Sequence, residues 1–266
     1  MSAKLGWVGA VVLILTVGGL GVPIAAAHGF SVQQGALRHS VSNVSSSNWA
    51  GYAVTSSKNS VTDVRGSWLE PKIVGTCPLL VSQYSSFWVG IDGYSSSTVE
   101  QTGTDSDCQL GSAVYYAWYE FYPHASVVIS TLTISPGDKM LGEVHWTGTA
   151  FALTLDDVTT GHNFTKSGTV SGAQRDSAEW ITEAPSSSSG ILPLADFGTS
   201  HWGGSQTGIK NTCQATIGGV TQAIGKFANV HRITMINLAQ TATKASPSGL
   251  GVVGAGFTVK WVSAGP

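Results

Sequence analysis

The sequence predicts an all-β domain, a sandwich or a barrel. Three observations carry this. From Trp49 onward the chain is a succession of short alternating runs broken by Gly, Ser, Asn, Asp or Pro. No long stretch of it shows the apolar period of a helix. Only 11% of the 266 residues are charged, while Gly numbers 33 and Trp 9, which is too apolar and aromatic for disorder. The length allows one large β domain or two small ones, and no repeat of 20–50 residues suggests a propeller.

The N-terminus reads as an export signal, residues 1–27. Lys4 is a short positive start, Leu5 to Val22 is apolar, Pro23 breaks the run, and Ala25-Ala26-Ala27 supplies a small-residue cleavage site. An uncleaved anchor is the alternative, and the Gly content and Ala cluster favour cleavage. Residues 28–47 are Ser-rich and read as a leader or short pro-segment, with the folded domain at 48–266. Within it the expected strands include Val114 to Tyr122, Val127 to Ile134, Met140 to Trp146, Phe151 to Leu155, Arg232 to Ile236 and Phe257 to Val262. Asp156-Asp157 followed by Thr159-Thr160-Gly161 reads as a hairpin turn, and Ser135-Pro136-Gly137-Asp138 as another turn.

Charge and cysteines narrow the setting. A net charge of −2 gives no footprint for nucleic acid or an anionic membrane surface. The 13 Lys and Arg and 7 His limit self-repulsion when carboxylates are protonated, so the composition permits an acidic environment. An exported chain with three cysteines is expected to hold a disulfide. Cys77 and Cys108 flank one continuous β-rich stretch and are the expected pair, with Cys213 left over. A secreted monomer is expected, free of the membrane once the signal is cleaved.

The chemistry must come from few residues. There is no G-x-S-x-G elbow, no H-E-x-x-H, no Asp-Thr-Gly or Asp-Ser-Gly, no P-loop and no dinucleotide fingerprint, and the seven His form no metal or catalytic spacing. No cofactor is expected. What remains is six Glu: 70, 100, 120, 143, 179 and 183. Two of them lie in Ser177 to Pro185, a run whose Trp, Ile and Thr suit a strand. Another, Glu120, falls between Trp118 and Tyr122 on one face of the run Val114 to Tyr122. An acid in an aromatic row points to the floor of a binding cleft as readily as to core.

Five motifs in order then resemble one family. They are Ser47-Asn48-Trp49-Ala50-Gly51-Tyr52, Phe87-Trp88-Val89-Gly90-Ile91-Asp92-Gly93, Glu100-Gln101-Thr102-Gly103, Tyr116-Ala117-Trp118-Tyr119-Glu120-Phe121-Tyr122-Pro123 and Ala178-Glu179-Trp180-Ile181-Thr182-Glu183. Together they are similar to the glutamic peptidases, the eqolisins of peptidase family G1. The resemblance covers roughly Ser47 to Val262 and implies a lectin-like sandwich of two antiparallel sheets. It also implies endopeptidases active in acid on protein or peptide substrates, with a catalytic Gln and Glu at Gln101 and Glu183. Trp49, Trp88, Asp92, Glu120 and Tyr122 fall on cleft positions and take substrate-binding or supporting roles. Fungal members often carry Trp where this chain has Phe121, and Ser186 to Gly190 is an extra Ser-rich stretch, so subsite preferences differ.

The pair suits peptide hydrolysis. The reaction needs a base for water, a proton for the leaving amine and donors for the oxyanion. A carboxylate covers the first two, and a primary amide holds the water and donates N–H. A carboxylate base with little upward pKa shift would work in acid. Two alternatives stand beside this reading. One is a carbohydrate-binding or glycoside-hydrolysing sandwich using Glu179 and Glu183, which a regular strand would hold about 13 Å apart, beyond the roughly 5–9.5 Å of glycosidase pairs. The other is an inert structural sandwich, which gives Gln101 and Glu183 no reason to converge.

Overall fold

The structure, a computed structural model, describes residues 41–265. The expected signal and most of the leader lie outside these residues. In chain order the strands are β1 (Ser42–Ser46), β2 (Trp49–Thr55), β3 (Val61–Leu69), β4 (Ser86–Ile91), β5 (Val99–Gln109), β6 (Ser112–Tyr122) and β7 (Val127–Val128). β8 (Lys139–Trp146), β9 (Phe151–Asp157), β10 (His162–Gly168) and β11 (Ser177–Glu183) follow. Then come β12 (Ser186–Ser187), β13 (Gly190–Ile191), β14 (Thr199–Trp202), β15 (Gln214–Ile217), β16 (Val220–Ala223), β17 (Val230–Ile236), β18 (Thr243–Pro247) and β19 (Phe257–Trp261). Helix among the described residues is one α-turn at Gly204–Thr207 and one 3₁₀ turn at Ile224–Lys226. No described helix is long and apolar enough to cross a membrane.

The strands form two layers. The first runs β1-β17-β2-β11-β4-β5-β6-β7, antiparallel throughout except for the parallel β1–β17 pair. The second runs β10-β9-β8-β3-β15-β16 and is wholly antiparallel. β14, β19 and β18 connect β3 to β17 and so join the two layers along one margin. The expected all-β sandwich is what the chain adopts.

The core lies between the layers. Tyr52, Val54, Phe87, Val89, Ile91, Ala178 and Trp180 face it from the first sheet. Val64, Trp68, Met140, Val144, Phe151, Leu153 and Leu155 meet them from the second. Each such side chain contributes about 1.5–3 kcal/mol when removed from water. One glycine permits the close approach. A Cβ on Gly66 of β3 would lie 2.6 Å from Val89 Cγ1 and 2.7 Å from the Trp180 ring, so any side chain there would push the layers apart.

Local chemistry explains the turns. Asp157 closes the β9–β10 hairpin by accepting the N–H of Thr159 and Thr160 and the Thr160 hydroxyl. In the 135–138 turn, Asp138 accepts the Ser135 N–H at 2.7 Å and donates its own N–H to the Ser135 carbonyl. Two expectations change. The run Val127 to Ile134 is a strand only at Val127–Val128, because Ile129, Leu132 and Ile134 turn inward from an irregular segment to reach the core. The leader was placed up to residue 47, yet Ser42–Ser46 pairs along its whole length with His231–Met235, so the sheet begins ahead of Asn48. Its polar residues form a strand because β17 supplies the backbone partners.

The disulfide joins Cys77 to Cys108, 31 residues apart, and Cys213 is free and buried. The bridge ties the 73–82 segment to the end of β5, where Gln83 and Cys108 also pair through their backbones.

Candidate active site

β11 is held between β2 and β4, and all seven of its residues are buried. Ala178 and Trp180 point into the core. Ser177, Glu179, Ile181 and Glu183 therefore share the other face. The register carries that face across three more strands in rows. One row is Glu179, Gly90, Gln101, Glu120. The next is Ile181, Trp88, Gly103, Trp118, and the third is Glu183, Ser86, Asp105, Tyr116. An apolar cluster of Trp49, Trp88, Tyr94, Val99, Trp118 and Ile181 lies among them, with Tyr116 and Tyr122 packed against it.

Glu183 is only 1% exposed, yet both its oxygens are satisfied. Oε1 accepts from Asn48 Nδ2 at 2.9 Å, and Oε2 accepts from Trp88 Nε1 at 2.8 Å. Asn48 is itself steadied by Ser46, whose hydroxyl donates to Asn48 Oδ1. The Trp88 indole reaches along the sheet toward Gly90, where a Cβ would lie 2.9 Å from Cζ3 and leave the ring no room. Trp49 meets Trp88 edge-on with ring centroids 4.9 Å apart. Burial pushes Glu183 up to about 8; the indoles of Trp88 and Trp49 and the Asn48 amide oppose this, and the charge of Asp105 adds to it. The expectation of a carboxylate with little upward shift is thus corrected. No cation among the described residues offsets the desolvation, so the site favours the protonated form of Glu183.

Gln101 and Glu120 are directly opposed on β5 and β6. Gln101 Nε2 donates to Glu120 Oε2 at 2.5 Å, while Gln101 Oε1 is buried without a partner. Burial pushes Glu120 up to about 8; the bond from Gln101 opposes this, and the charge of Glu183 adds to it. Glu183 thus acts on Glu120 through its charge, and Glu183, Glu120 and Gln101 all lie on the same face of the sheet. Beside them lies a second carboxyl pair. Asp105 accepts from Trp118 Nε1 at 2.6 Å, and the Tyr116 hydroxyl lies within hydrogen-bond distance of both Asp105 and Asp107. Burial raises Asp105 to about 6 and Asp107 well above the ordinary range, and the charge of Asp105 adds to the latter.

The other sequence-derived residues divide. Trp49 and Trp88 flank Glu183, and Tyr122 packs on the same face. Asp92, in a left-handed conformation (φ 71°), sits elsewhere. Its carboxylate accepts the N–H groups of Gln174, Arg175 and Asp176, so it braces the segment leading into β11. Glu179 is fully buried with neither oxygen partnered, and burial raises it well above the ordinary range. β11 pairs without a bulge to both neighbours from Ala178 to Glu183, so Glu179 and Glu183 stay four strand positions, roughly 13 Å, apart. That spacing removes the glycosidase pair. Sequence reasoning gives Asn48, Asp105 and Asp107 no role, while Tyr116 shares the alternating face of Trp118, Glu120 and Tyr122. Asp105 and Asp107 share the parity of Gln101, which was the available signal. No group of three or more His, Cys, Asp or Glu among the described residues is arranged to hold a metal ion.

Comparison with known proteins agrees with this geometry. Residues 47–252 match the family model described as the Peptidase A4 family. The chain belongs to that family. Aspergillopepsin-2 of Aspergillus niger is 39% identical over 120 residues, 43% of each chain. Scytalidopepsin B of Scytalidium lignicola is 44% identical over 82 residues, 30% of each chain. The matched stretch is thus less than half the length of either curated relative. Two solved structures align over more of the chain. Scytalido-glutamic peptidase with a transition-state analogue inhibitor superposes with a TM-score of 0.65 at 27% identity, covering 81% of this chain and 98% of that one. Aspergilloglutamic peptidase from Aspergillus niger gives 0.56 at 31% identity, covering 68% and 99%.

Proposed function

We propose that the protein is a secreted endopeptidase that hydrolyses peptide bonds in acid, with Glu183 and Gln101 as its catalytic pair. The observation that carries this is that Glu183 lies on the same face of the sheet as the hydrogen-bonded pair Gln101 and Glu120, among aromatic side chains, and that its charge is felt by Glu120. Scytalido-glutamic peptidase and aspergilloglutamic peptidase, which the chain resembles, support this reading. The signal-like N-terminus and the Cys77–Cys108 bridge support export.

The raised pKa of Glu183 shapes the mechanism. In acid the carboxyl is neutral, so one oxygen carries a proton and the other accepts one. As water attacks the scissile carbonyl carbon, it gives a proton to the free oxygen of Glu183. Glu183 gives its own proton to the carbonyl oxygen. A neutral gem-diol forms and Glu183 is neutral again. In collapse a gem-diol O–H returns a proton to Glu183, Glu183 protonates the nitrogen, and the C–N bond breaks to a carboxylic acid and an amine. Glu183 is the base toward water in the same step in which it is an acid toward the carbonyl. Gln101 cannot titrate; its amide holds the water and donates N–H to the developing oxygen. Trp49, Trp88, Trp118 and Tyr122 offer apolar contact to substrate side chains, and Asn48 and Trp88 fix Glu183.

The test is casein digestion across pH by the purified protein and by Glu183→Gln. Activity should be high in acid and fall as pH rises toward about 8, where Glu183 loses its proton, and the variant should be inactive throughout. Activity that rises from acid to pH 8 would show that the carboxylate is the working form.

A further inference from the structure

We propose that Glu120 is a positioning residue which sets, by holding or releasing a proton, which end of the Gln101 amide is turned toward Glu183. This rests on the reading of Gln101 and Glu183 as the catalytic pair. The geometry is that of two nearly enclosed side chains joined by a short hydrogen bond. Gln101 and Glu120 are 1% and 2% exposed, and they face each other across β5 and β6. Nε2 of Gln101 is held at 2.5 Å by Glu120 Oε2, and Oε1 of Gln101 is left buried without a partner.

A primary amide has an acceptor end and a donor end of nearly the same shape, and the torsion that exchanges them is soft. Its neighbour therefore chooses the orientation. An ionised carboxylate has no proton to give, so it can only hold the NH2 end, as the described geometry has it. That turns the carbonyl oxygen of Gln101 toward the reacting atoms, where it repels an oxygen gaining negative charge. A protonated Glu120 has an O–H to donate, and the amide oxygen is a better acceptor for it than a carboxyl C=O is for an amide N–H. The amide then turns, Oε1 accepts from Glu120, and the NH2 end is presented to the reacting atoms. Only this second orientation supplies the N–H donors that stabilise the tetrahedral oxygen.

The surroundings favour such a switch. The ionisable groups on this face are all acidic near Glu120: Glu183 and Glu179 from β11, and Asp105 and Asp107 from β5. On its own strand Tyr116 and Tyr122 share the face, β4 presents Ser86, Trp88 and Gly90, and β7 pairs at Val127 and Val128. His231, opposite Ala53, lies at the far end of the Glu120 row, and Arg232 of β17 pairs with Tyr52 on the core side. No cation of these strands therefore stabilises a charge on Glu120, whose proton stays through the acid range and leaves toward about 8. Release of that proton turns the amide to its unproductive end, and because the charge of Glu183 raises Glu120, this release follows the ionisation of Glu183.

The alkaline limb of activity should then report two protons. On a fluorogenic peptide, and within the range where far-UV circular dichroism shows the fold intact, log kcat/KM of the parent should fall with a slope approaching about −2 per pH unit. Glu120→Gln, which can hydrogen-bond to Gln101 but cannot titrate, should fall with a slope of about −1. The side-chain amide resonances of ¹⁵N-labelled Gln101, assigned by their loss in Gln101→Ala, should shift across the same limb in the parent and stay fixed in Glu120→Gln. This second readout needs only the parent should the variant fail to fold. A parent slope of −1, an unchanged slope in Glu120→Gln, or Gln101 resonances that ignore the limb would overturn the role of Glu120. Retained activity in Gln101→Ala would instead overturn the catalytic pair on which the inference rests.

Discussion

Raising pH should destabilise this protein by charging its interior. Glu70 is fully enclosed and hydrogen-bonded by Thr104 and Ser106, and burial raises it from 4.5 to about 8. Glu100 is raised to about 9 by burial and by the charge of Asp92, opposed by the nearby Thr98 hydroxyl, and neither of its oxygens reaches full hydrogen-bond geometry. For both, the folded pKa lies above the unfolded one. Their contribution is therefore complete below about 4.5 and is lost as pH climbs through about 8 to 9, where the unfolded chain holds fewer protons. A shift of this size is on the order of 5 kcal/mol per group, from about 1.4 kcal/mol per pH unit. Two such groups are comparable with the roughly 5–15 kcal/mol stability of a typical domain, so stability should decline steadily on the alkaline side. Urea unfolding followed by tryptophan fluorescence from pH 4 to 9 would read this directly. Glu100→Gln should match the parent near pH 4, since it gives up no hydrogen bond, and exceed it by several kcal/mol near pH 9. A midpoint that stays level from pH 4 to 9, or a Glu100→Gln variant that loses stability in step with the parent, would refute the reasoning.

Other outcomes follow from single contacts. Asn48→Ala removes the donor to Glu183 Oε1. It should lower kcat by roughly 10- to 100-fold and cost about 1–3 kcal/mol in urea unfolding, the usual penalty for an orphaned buried acceptor. Replacing both Cys77 and Cys108 by Ser opens a loop of 31 residues and should lower stability by roughly 3–4 kcal/mol in the chain-entropy account, measured by thermal unfolding in acid.

Legibility in the sequence varied with how locally each element is determined. β6 could be read directly, because Val114 to Tyr122 is dense in aromatic residues that suit a strand and the one acid in it, Glu120, falls on the face of Trp118 and Tyr122. β9 alternates, with Phe151, Leu153 and Leu155 inward. β11 hides its faces: enclosed on both sides, it shows no polar side, and only the parity of Glu179 and Glu183 marks the site face. β5 is harder still. Val99–Gln109 is almost wholly polar and shows no apolar alternation, yet it is a buried central strand. Its side chains are satisfied laterally: Thr104 and Ser106 by Glu70, Thr102 by the Trp118 carbonyl, Asp105 by Trp118 and Tyr116. Such partners are distant in sequence and cannot be seen in a window of a few residues. The strand order β11-β4-β5-β6 is equally nonlocal, so family resemblance, and no periodicity, pointed to Gln101 and Glu183 together. Asn48 escaped notice because its role depends on β11 lying antiparallel to β2.

The most direct test of the catalytic assignment compares kcat/KM of three folded variants on one peptide in acid. Glu183→Gln should lose on the order of 10⁴-fold or more, because the exchange of protons with water and the leaving nitrogen has no substitute. Gln101→Ala should lose about 10²- to 10³-fold with its oxyanion donor. Glu179→Gln should stay within about tenfold of the parent, since the Asn48 and Trp88 donors hold the carboxyl of Glu183 and not that of Glu179. An inactive Glu179→Gln beside an active Glu183→Gln would contradict the account and move the catalytic carboxyl to the other end of β11.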